Sequence, residues 1–295
     1  MMREPGRLIT AMATPFRHDS SLDREGAARL AQRLVETGSD TILINGTTGE
    51  SPVLTHDEKL QLLETVVKAV GSKTPIMMGT GTNCTADSIV LTREAEARGA
   101  DSILLVVPYY NRPPQEGLYR HFEAIANATS LPVMLYNIPP RTSADLLPET
   151  IVRLSHIPNI FALKEASGHV NRTAEVLSAA RPGFRVYSGD DAATVPIMSL
   201  GGYGVVSVAA NVAGRMLKDL VEAAAAGKRD QTIALHDSIV PLLKALFITT
   251  SPIPLKCALK LMGLPGGSPR PPLLDATPAE EAVVRKALED LQLLG

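Results

Sequence analysis

Residues 41–79 read TILINGTTGESPVLTHDEKLQLLETVVKAVGSKTPIMMG and determine the fold that the rest of the chain repeats. The stretch begins and ends with a short apolar run, as expected for strands that are buried on both faces. Between the two runs, Thr55 and Glu58 form a capping box, which predicts a helix that starts there and stops at Gly71. A strand, a helix and a second strand in this order predict two parallel strands joined by a crossover helix.

The same order recurs along the whole chain, with apolar runs separated by segments of helical periodicity. The predicted strands are Leu8–Phe16, Thr41–Gly46, Pro75–Gly79, Ser102–Tyr109, Pro132–Ile138, Ile160–Lys164, Arg185–Ser188 and Gly204–Val208. Eight such units close into a (β/α)8 TIM barrel of about 250 residues. A doubly wound open sheet is the alternative, but it usually has fewer strands and often a Gly-x-Gly-x-x-Gly motif after the first strand. We therefore expect an α/β barrel over residues 1–226 and, where the pattern becomes purely helical, a C-terminal helical extension over residues 227–295.

The composition excludes several classes of protein. The 295 residues include 29 basic and 31 acidic side chains, and no basic stripe is present, so nucleic acid is not an expected partner. No apolar run approaches the roughly 20 residues of a membrane helix, and the N-terminus has no signal-peptide pattern. The two cysteines, Cys84 and Cys257, and the six histidines show no metal-ligand spacing. We expect a cytoplasmic protein that binds no metal.

A lysine interrupts one of the apolar strands, in the segment Phe161–Ala166. A lysine is almost never fully buried unless it is paired or functional. Burial destabilises the ammonium form of Lys164 and lowers its pKa, which frees a neutral amine to form a Schiff base with a carbonyl substrate. The alternative is a lysine at a strand end whose ammonium group reaches solvent.

The ends of the other strands favour a functional Lys164, because the active site of such a barrel lies at the C-terminal ends of its strands. The second strand is followed by Thr47 and Thr48 between glycines, and their hydroxyls and exposed amides suit a carboxylate, although a plain turn is the alternative. The fifth strand ends at Tyr136, which can transfer protons, and Arg141 in the next loop can bind a carboxylate through two hydrogen bonds.

Two further loops carry weaker signals. Tyr109 and Tyr110 follow the fourth strand and could serve the site or fill an interface. Glycine-rich loops after strands 7 and 8 often bind phosphate, but the pair Gly201-Gly202 comes before the eighth strand. A phosphate site is therefore the less favoured interpretation.

Six motifs occur in an order that is highly specific when they are taken together. They are GTTGES at 46–51, YYNRP at 109–113, YNIP at 136–139, KEA at 164–166, SGDD at 188–191 and PIPLK at 252–256. Over nearly its whole length the chain resembles the dihydrodipicolinate synthase / N-acetylneuraminate lyase superfamily of class I aldolases. The paired threonines and Arg141 resemble the dihydrodipicolinate synthase branch, since neuraminate lyases tend to have Ser-Thr in the first motif and to lack the arginine.

The resemblance implies a lyase that condenses pyruvate with aspartate semialdehyde through a Schiff base and gives 4-hydroxy-tetrahydrodipicolinate, in lysine and diaminopimelate biosynthesis. It implies catalytic roles for Lys164, Tyr136, Thr47 and Tyr110, and substrate binding by Thr48, Arg141, Gly189 and Val206. In the family the tyrosine at the Tyr110 position comes from a neighbouring subunit, so a homo-oligomer is implied, a tetramer built from dimers. No cofactor is expected, because the lysine imine serves as the electron sink.

The resemblance also identifies positions at which many family members bind lysine as an inhibitor. They are Ser51, Pro52, His56, Lys59, Asn83, Asp87 and Tyr109. Lysine-sensitive members tend to carry histidine at the Lys59 position and glutamate at the Asp87 position. A cationic Lys59 should repel the ammonium group of the ligand, so we expect weak or absent feedback by lysine; the alternative is that Lys59 is only a solvated helix charge.

Two other functions remain open from the sequence alone. One is a related pyruvate aldolase that acts on a sugar acid such as N-acetylneuraminate or a 2-keto-3-deoxy acid, and Arg141 argues against it. The other is a catalytically silent barrel that binds a keto acid. Its sequence signature would be the loss of Lys164 or Tyr136, and both residues are present.

Overall fold

Eight parallel strands form a closed barrel in the computed structural model of the chain, which describes residues 3–294. The strands are β1 (Leu8–Ala11), β2 (Thr41–Ile44), β3 (Ile76–Gly79), β4 (Ser102–Val106), β5 (Val133–Asn137), β6 (Ile160–Glu165), β7 (Arg185–Ser188) and β8 (Gly204–Ser207). Each strand pairs in parallel with the next, and the pairing of β1 with β8 closes the cylinder. The barrel expected from the sequence is confirmed.

Helices follow the strands and cover the outside of the barrel. Those before residue 227 are α1 (Arg24–Glu36), α2 (His56–Val70), α3 (Thr85–Ala97), α4 (Gln115–Ala126), α5 (Pro139–Thr142), α6 (Pro148–Ser155), α7 (Arg172–Ala179), α8 (Thr194–Ser199) and α9 (Ala210–Ala225). After it come α10 (Arg229–Ala245), α11 (Ile253–Leu261) and α12 (Pro278–Asp290). Side chains of α10, α11 and α12 share one apolar core with the first strands and helices of the barrel. The division of the chain near Gly227 stays a prediction.

Two predicted strands were too long by at least three residues. Strand β1 ends at Ala11 rather than at Phe16, and β4 ends at Val106 rather than at Tyr109. Prolines follow both strands closely, and a proline has no N–H with which to continue a ladder of hydrogen bonds. The loops at the C-terminal end of the barrel therefore start earlier in the sequence than the apolar runs indicated.

The cap of helix α2 matches the sequence at one end and differs at the other. Thr55 and Glu58 form the predicted capping box. Gly71, predicted as an ordinary C-terminal glycine, has a right-handed φ of -59°. A Cβ atom on Gly71 would lie 2.5 Å from the carbonyl oxygen of Val67, so the position needs glycine for space rather than for a left-handed turn.

The alternation of side chains along each strand places the functional residues inside the barrel. The interior layer consists of Ile9, Ala11, Leu43, Met77, Leu104, Met134, Tyr136, Ala162, Tyr187 and Val206. Because successive side chains of a strand point to opposite faces, Lys164 shares the inward face with Ala162, and its neighbour Glu165 faces the helices. Among the described residues, no helix is long and apolar enough to cross a membrane.

Candidate active site

The side chain of Lys164 is buried at the C-terminal end of β6, with 5% of the residue exposed. Its Nζ atom lies 3.9 Å from the centroid of the Tyr136 ring, on the adjacent strand β5. Burial lowers the pKa of Lys164 to about 7, while the negative charge of Asp191 opposes this shift and the positive charge of Arg141 adds to it. Within residues 3–294 no carboxylate comes within 4.0 Å of this ammonium group, so the neutral amine is accessible near neutral pH.

The phenol of Tyr136 has the opposite tendency. Burial raises the pKa of Tyr136 to about 12, and a hydrogen bond with the side chain of Thr47 and the charge of Arg141 counteract part of that rise. Tyr136 therefore keeps its proton at neutral pH. Its hydroxyl can donate that proton and recover it through Thr47, as a proton shuttle beside an amine requires.

The turn after β2 holds itself together with three backbone hydrogen bonds. The amides of Gly49 and Ser51 donate to the carbonyl of Gly46, and the amide of Glu50 donates to the carbonyl of Thr47, 3.0 Å away. Across the described part of the chain, the amides of Thr47 and Thr48 have no hydrogen-bond acceptor. Two free amides and two hydroxyls therefore lie next to each other, and their use as donors to a carboxylate stays a prediction.

Gly189 lies beside the same lysine, and Val206 lies in the barrel interior. The amide of Gly189 donates to the carbonyl of Glu165, which places Gly189 directly against β6. A Cβ atom on Gly189 would lie 3.0 Å from Cε of Lys164, so any larger residue would press on the reactive side chain. Val206 is fully buried in the barrel interior, in register with Ile9 of β1.

The negative charge that opposes the lowering of the Lys164 pKa belongs to Asp191, a residue for which no role was predicted from the sequence. Its carboxylate is buried and accepts hydrogen bonds from the hydroxyl of Ser207 and from the amides of Val208 and Ala209. Burial raises the pKa of Asp191, and these three donors counteract the rise. The only sequence signal for Asp191 was its place in the SGDD motif, which does not show that the side chain is buried near the lysine.

A cavity of about 400 Å³ opens at this end of the barrel. Thr47, Tyr136 and Arg141 line it, and so do four of the positions that the resemblance assigned to a regulatory ligand, namely Ser51, Pro52, Lys59 and Tyr109. Lys59 is half-buried, and burial lowers its pKa. The guanidinium of Arg141 is anchored at the mouth, where Nη2 donates to the carbonyl oxygen of Ser251 at 3.1 Å.

This cavity is not lined by the other predicted residues, which are Lys164, Thr48, Gly189, Val206, Tyr110, His56, Asp87 and Asn83. Tyr110 is 89% exposed, has a left-handed φ of 73° and does not line the cavity of its own chain. His56 is exposed and pairs with Glu94, and Asp87 is exposed in the first turn of α3. Asn83, in the loop before α3, accepts a hydrogen bond from a neighbouring loop through its carbonyl oxygen. Among the described residues, no group of three histidine, cysteine, aspartate or glutamate side chains is arranged to hold a metal ion.

Comparison with known proteins places this geometry in a family. Residues 4–291 match the Dihydrodipicolinate synthetase family. The 4-hydroxy-tetrahydrodipicolinate synthase of Moorella thermoacetica is 53% identical, over 98% of this chain and 99% of its own. The dihydrodipicolinate synthase of Cyanidioschyzon merolae, solved with lysine bound, is 44% identical with a TM-score of 0.96, over 98% of this chain and 99% of its own. A monomeric dihydrodipicolinate synthase variant is 38% identical with a TM-score of 0.95, over 98% of each chain.

Proposed function

The chain belongs to the Dihydrodipicolinate synthetase family, and we propose that Lys164 is the nucleophile with which it condenses pyruvate and aspartate semialdehyde. The reaction is that of a lyase of the class I aldolase type, and its product, 4-hydroxy-tetrahydrodipicolinate, leads to diaminopimelate and lysine. The observation that carries the role of Lys164 is a buried amine with a pKa of about 7, without a carboxylate partner among residues 3–294 and in contact with a protonated tyrosine.

The chemistry starts when the neutral amine of Lys164 attacks the ketone carbon of pyruvate. The resulting carbinolamine loses water and becomes an imine, and the loss of a methyl proton turns the imine into an enamine. The enamine carbon then attacks the aldehyde of aspartate semialdehyde. Finally the amino group of that substrate attacks the imine carbon, which closes the ring and releases the amine of Lys164. Tyr136 donates and accepts the protons of these steps, with Thr47 as its hydrogen-bond partner.

The remaining site residues bind the two substrates. The free amides and hydroxyls of Thr47 and Thr48 hold the carboxylate of pyruvate, and Gly189 and Val206 bound the space beside the lysine. Arg141 binds the carboxylate of aspartate semialdehyde, because a guanidinium offers two parallel donors to a carboxylate. Its contact with the carbonyl of Ser251 leaves other guanidinium N–H groups free for this purpose.

We propose that Tyr110 acts in a second copy of the chain, within a dimer that forms half of a tetramer. The support is its exposure of 89% in a strained left-handed turn beside the cavity residue Tyr109. A mixture of Tyr110→Phe and Lys164→Met chains tests this idea. Each variant alone should be nearly inactive, and mixed dimers should regain activity because one of their sites has both Lys164 and a partner's tyrosine. Mixtures as inactive as the separate variants, despite subunit exchange, would show that Tyr110 does not act across an interface.

Two smaller proposals concern regulation and location. Ser51, His56, Lys59, Asn83, Asp87 and Tyr109 occupy the positions of the family's lysine site, and we propose that Lys59 makes this chain insensitive to lysine. The support is that Lys59 lines the cavity and that burial lowers its pKa. A cytoplasmic location fits the two unpaired cysteines and would be checked by fractionation of cells.

A coupled assay with purified protein, pyruvate and aspartate semialdehyde tests the reaction. The same assay with a panel of sugar aldehydes and pyruvate tests the sugar-acid aldolase that the sequence left open. We expect turnover with aspartate semialdehyde at least about a hundredfold above that with any sugar aldehyde, since an unpaired Arg141 penalises substrates without the matching carboxylate. Preference for a sugar aldehyde, or no turnover at all, would contradict the proposal.

A further inference from the structure

We propose that the buried ion pair between Glu50 and Lys256 positions the threonine turn for the carboxylate of pyruvate, so that the C-terminal helices are part of the substrate site. The inference rests on the proposed function, since it assigns a positioning role toward the same substrate. Glu50 ends the turn that carries Thr47 and Thr48, and Lys256 belongs to α11.

The two charged groups form a contact without access to water. Nζ of Lys256 lies 2.5 Å from Oε1 of Glu50, and both side chains are 1% exposed. The ammonium group also donates to the carbonyl of Ser268, 3.2 Å away, and lies 4.1 Å from the centroid of the Phe16 ring. A charge buried this deeply is unfavourable without its partner, so the pair fixes the distance between α11 and the turn.

A second contact holds the other oxygen of the same carboxylate. Oε2 of Glu50 accepts a hydrogen bond from the amide of Arg270, in the connector between α11 and α12. The guanidinium of Arg270 in turn donates to both carboxylate oxygens of Glu58, the capping-box residue of α2. The C-terminal extension therefore clamps both ends of the segment that runs from the turn into α2.

The position of Glu50 is transmitted to the threonines through the backbone. Glu50 has a left-handed φ of 56°, which a non-glycine residue adopts only when its surroundings hold it there. The amide of Glu50 donates to the carbonyl of Thr47. That carbonyl belongs to the same peptide group as the N–H of Thr48, so a shift of Glu50 also moves the Thr48 amide. Both oxygens of its carboxylate are held by the extension, which leaves the turn little freedom to move away from the lysine.

The extension also reaches the second substrate position. Arg141 donates to the carbonyl of Ser251, which precedes α11 in the chain. This contact uses the backbone oxygen of Ser251 and therefore does not depend on the side chain at that position.

The double variant Glu50→Gln, Lys256→Met removes both charges and keeps the shapes, so that no unpaired charge stays buried. We expect it to fold, and we expect its KM for pyruvate to rise about tenfold while kcat changes less, because a misplaced turn weakens carboxylate binding. The matched control is Asp40→Asn, Lys218→Met, which removes an ion pair between the residue before β2 and helix α9. Its KM for pyruvate should stay within about twofold of the parent.

The variant Glu50→Asp keeps both charges and withdraws the carboxylate by one methylene group. It should raise the KM for pyruvate at least about threefold, and it decides the question if the double variant does not fold. An unchanged KM in a folded double variant, or in Glu50→Asp, would overturn the positioning role. If the parent protein forms no adduct with pyruvate, the proposed function fails instead, and the two failures are distinguished by that measurement.

Discussion

The ammonium nitrogen of Lys164 lies 3.9 Å from the centroid of the Tyr136 ring, and the Cα atoms of the two residues are paired across β5 and β6. A cation above an aromatic ring gains roughly 1–2 kcal/mol, which favours the charged lysine. Desolvation acts in the other direction and is larger, since the pKa falls from 10.5 to about 7. The pairing of β5 with β6 therefore holds Tyr136, a proton donor, in contact with the reactive amine of Lys164.

The structure contains a second buried lysine that serves as an internal comparison. Nζ of Lys256 also faces an aromatic ring, that of Phe16, and burial also lowers the pKa of Lys256. Glu50, however, lies 2.5 Å from its ammonium group and stabilises the charged form. An ion pair thus distinguishes a structural lysine from a nucleophilic one, although both are buried.

The first prediction concerns pH. Only the neutral amine of Lys164 attacks pyruvate. The rate of adduct formation should therefore increase with pH, with a midpoint at a pH of about 7, because the amine is protonated and unreactive at lower pH. The negative charge of Asp191 raises this pKa, so Asp191→Asn should move the midpoint to lower pH. Stopped-flow measurement of adduct formation between pH 5 and 9 gives both midpoints. Asp190→Asn is the matched control, and an Asp191→Asn midpoint that stays in place or moves upward would refute this electrostatic account.

A second prediction concerns stability. The pKa of Lys164 is lower in the folded than in the unfolded chain. The buried charge therefore lowers the free energy of unfolding by its full amount below pH 7, and this effect decreases as the pH rises toward 10.5. Lys164→Met should raise the free energy of unfolding at pH 6 by on the order of 4 kcal/mol. At pH 9 the gain should be smaller by roughly 2–3 kcal/mol. Urea titrations at one protein concentration measure both values, and a gain independent of pH would speak against a desolvated lysine.

A third prediction separates the two substrates. Arg141→Ala should lower kcat/KM for aspartate semialdehyde by about a hundredfold, because a guanidinium–carboxylate pair in a partly enclosed site is worth about 3 kcal/mol. Adduct formation with pyruvate should change little at pH 9, where Lys164 is neutral in both proteins. Arg120→Ala, on the outer surface of α4, is the control. Equal losses in both measurements would assign Arg141 to pyruvate or to folding instead.

A fourth prediction concerns feedback. Lysine at micromolar concentration should leave the parent enzyme uninhibited, because Lys59 places a positive charge in the cavity where the ligand's ammonium would bind. The double change Lys59→His, Asp87→Glu introduces the residues typical of lysine-sensitive relatives and should create inhibition. Steady-state rates across a lysine series give the answer. Micromolar inhibition of the parent would disprove the role of Lys59.

The sequence predicted the barrel, the strand order and the residues at the strand ends, because apolar periodicity and glycine stops are local properties. It placed Lys164, Tyr136 and Thr47 together, since the C-terminal ends of parallel strands meet at one end of the cylinder. It could not show that Asp191 lies buried near Lys164, because that proximity depends on how the loop after β7 folds back onto β8. Nor could it distinguish the ion-paired Lys256 from a solvated helix lysine, since Glu50 lies some two hundred positions away in the chain.

Reductive trapping tests the central claim most directly. Borohydride added with pyruvate reduces an imine to a stable secondary amine, and peptide mass spectrometry then locates the modified lysine. The account predicts a pyruvate-dependent adduct on Lys164, absent from the Lys164→Met variant. An adduct on Lys256 instead, or no adduct on any lysine of an active enzyme, would contradict it.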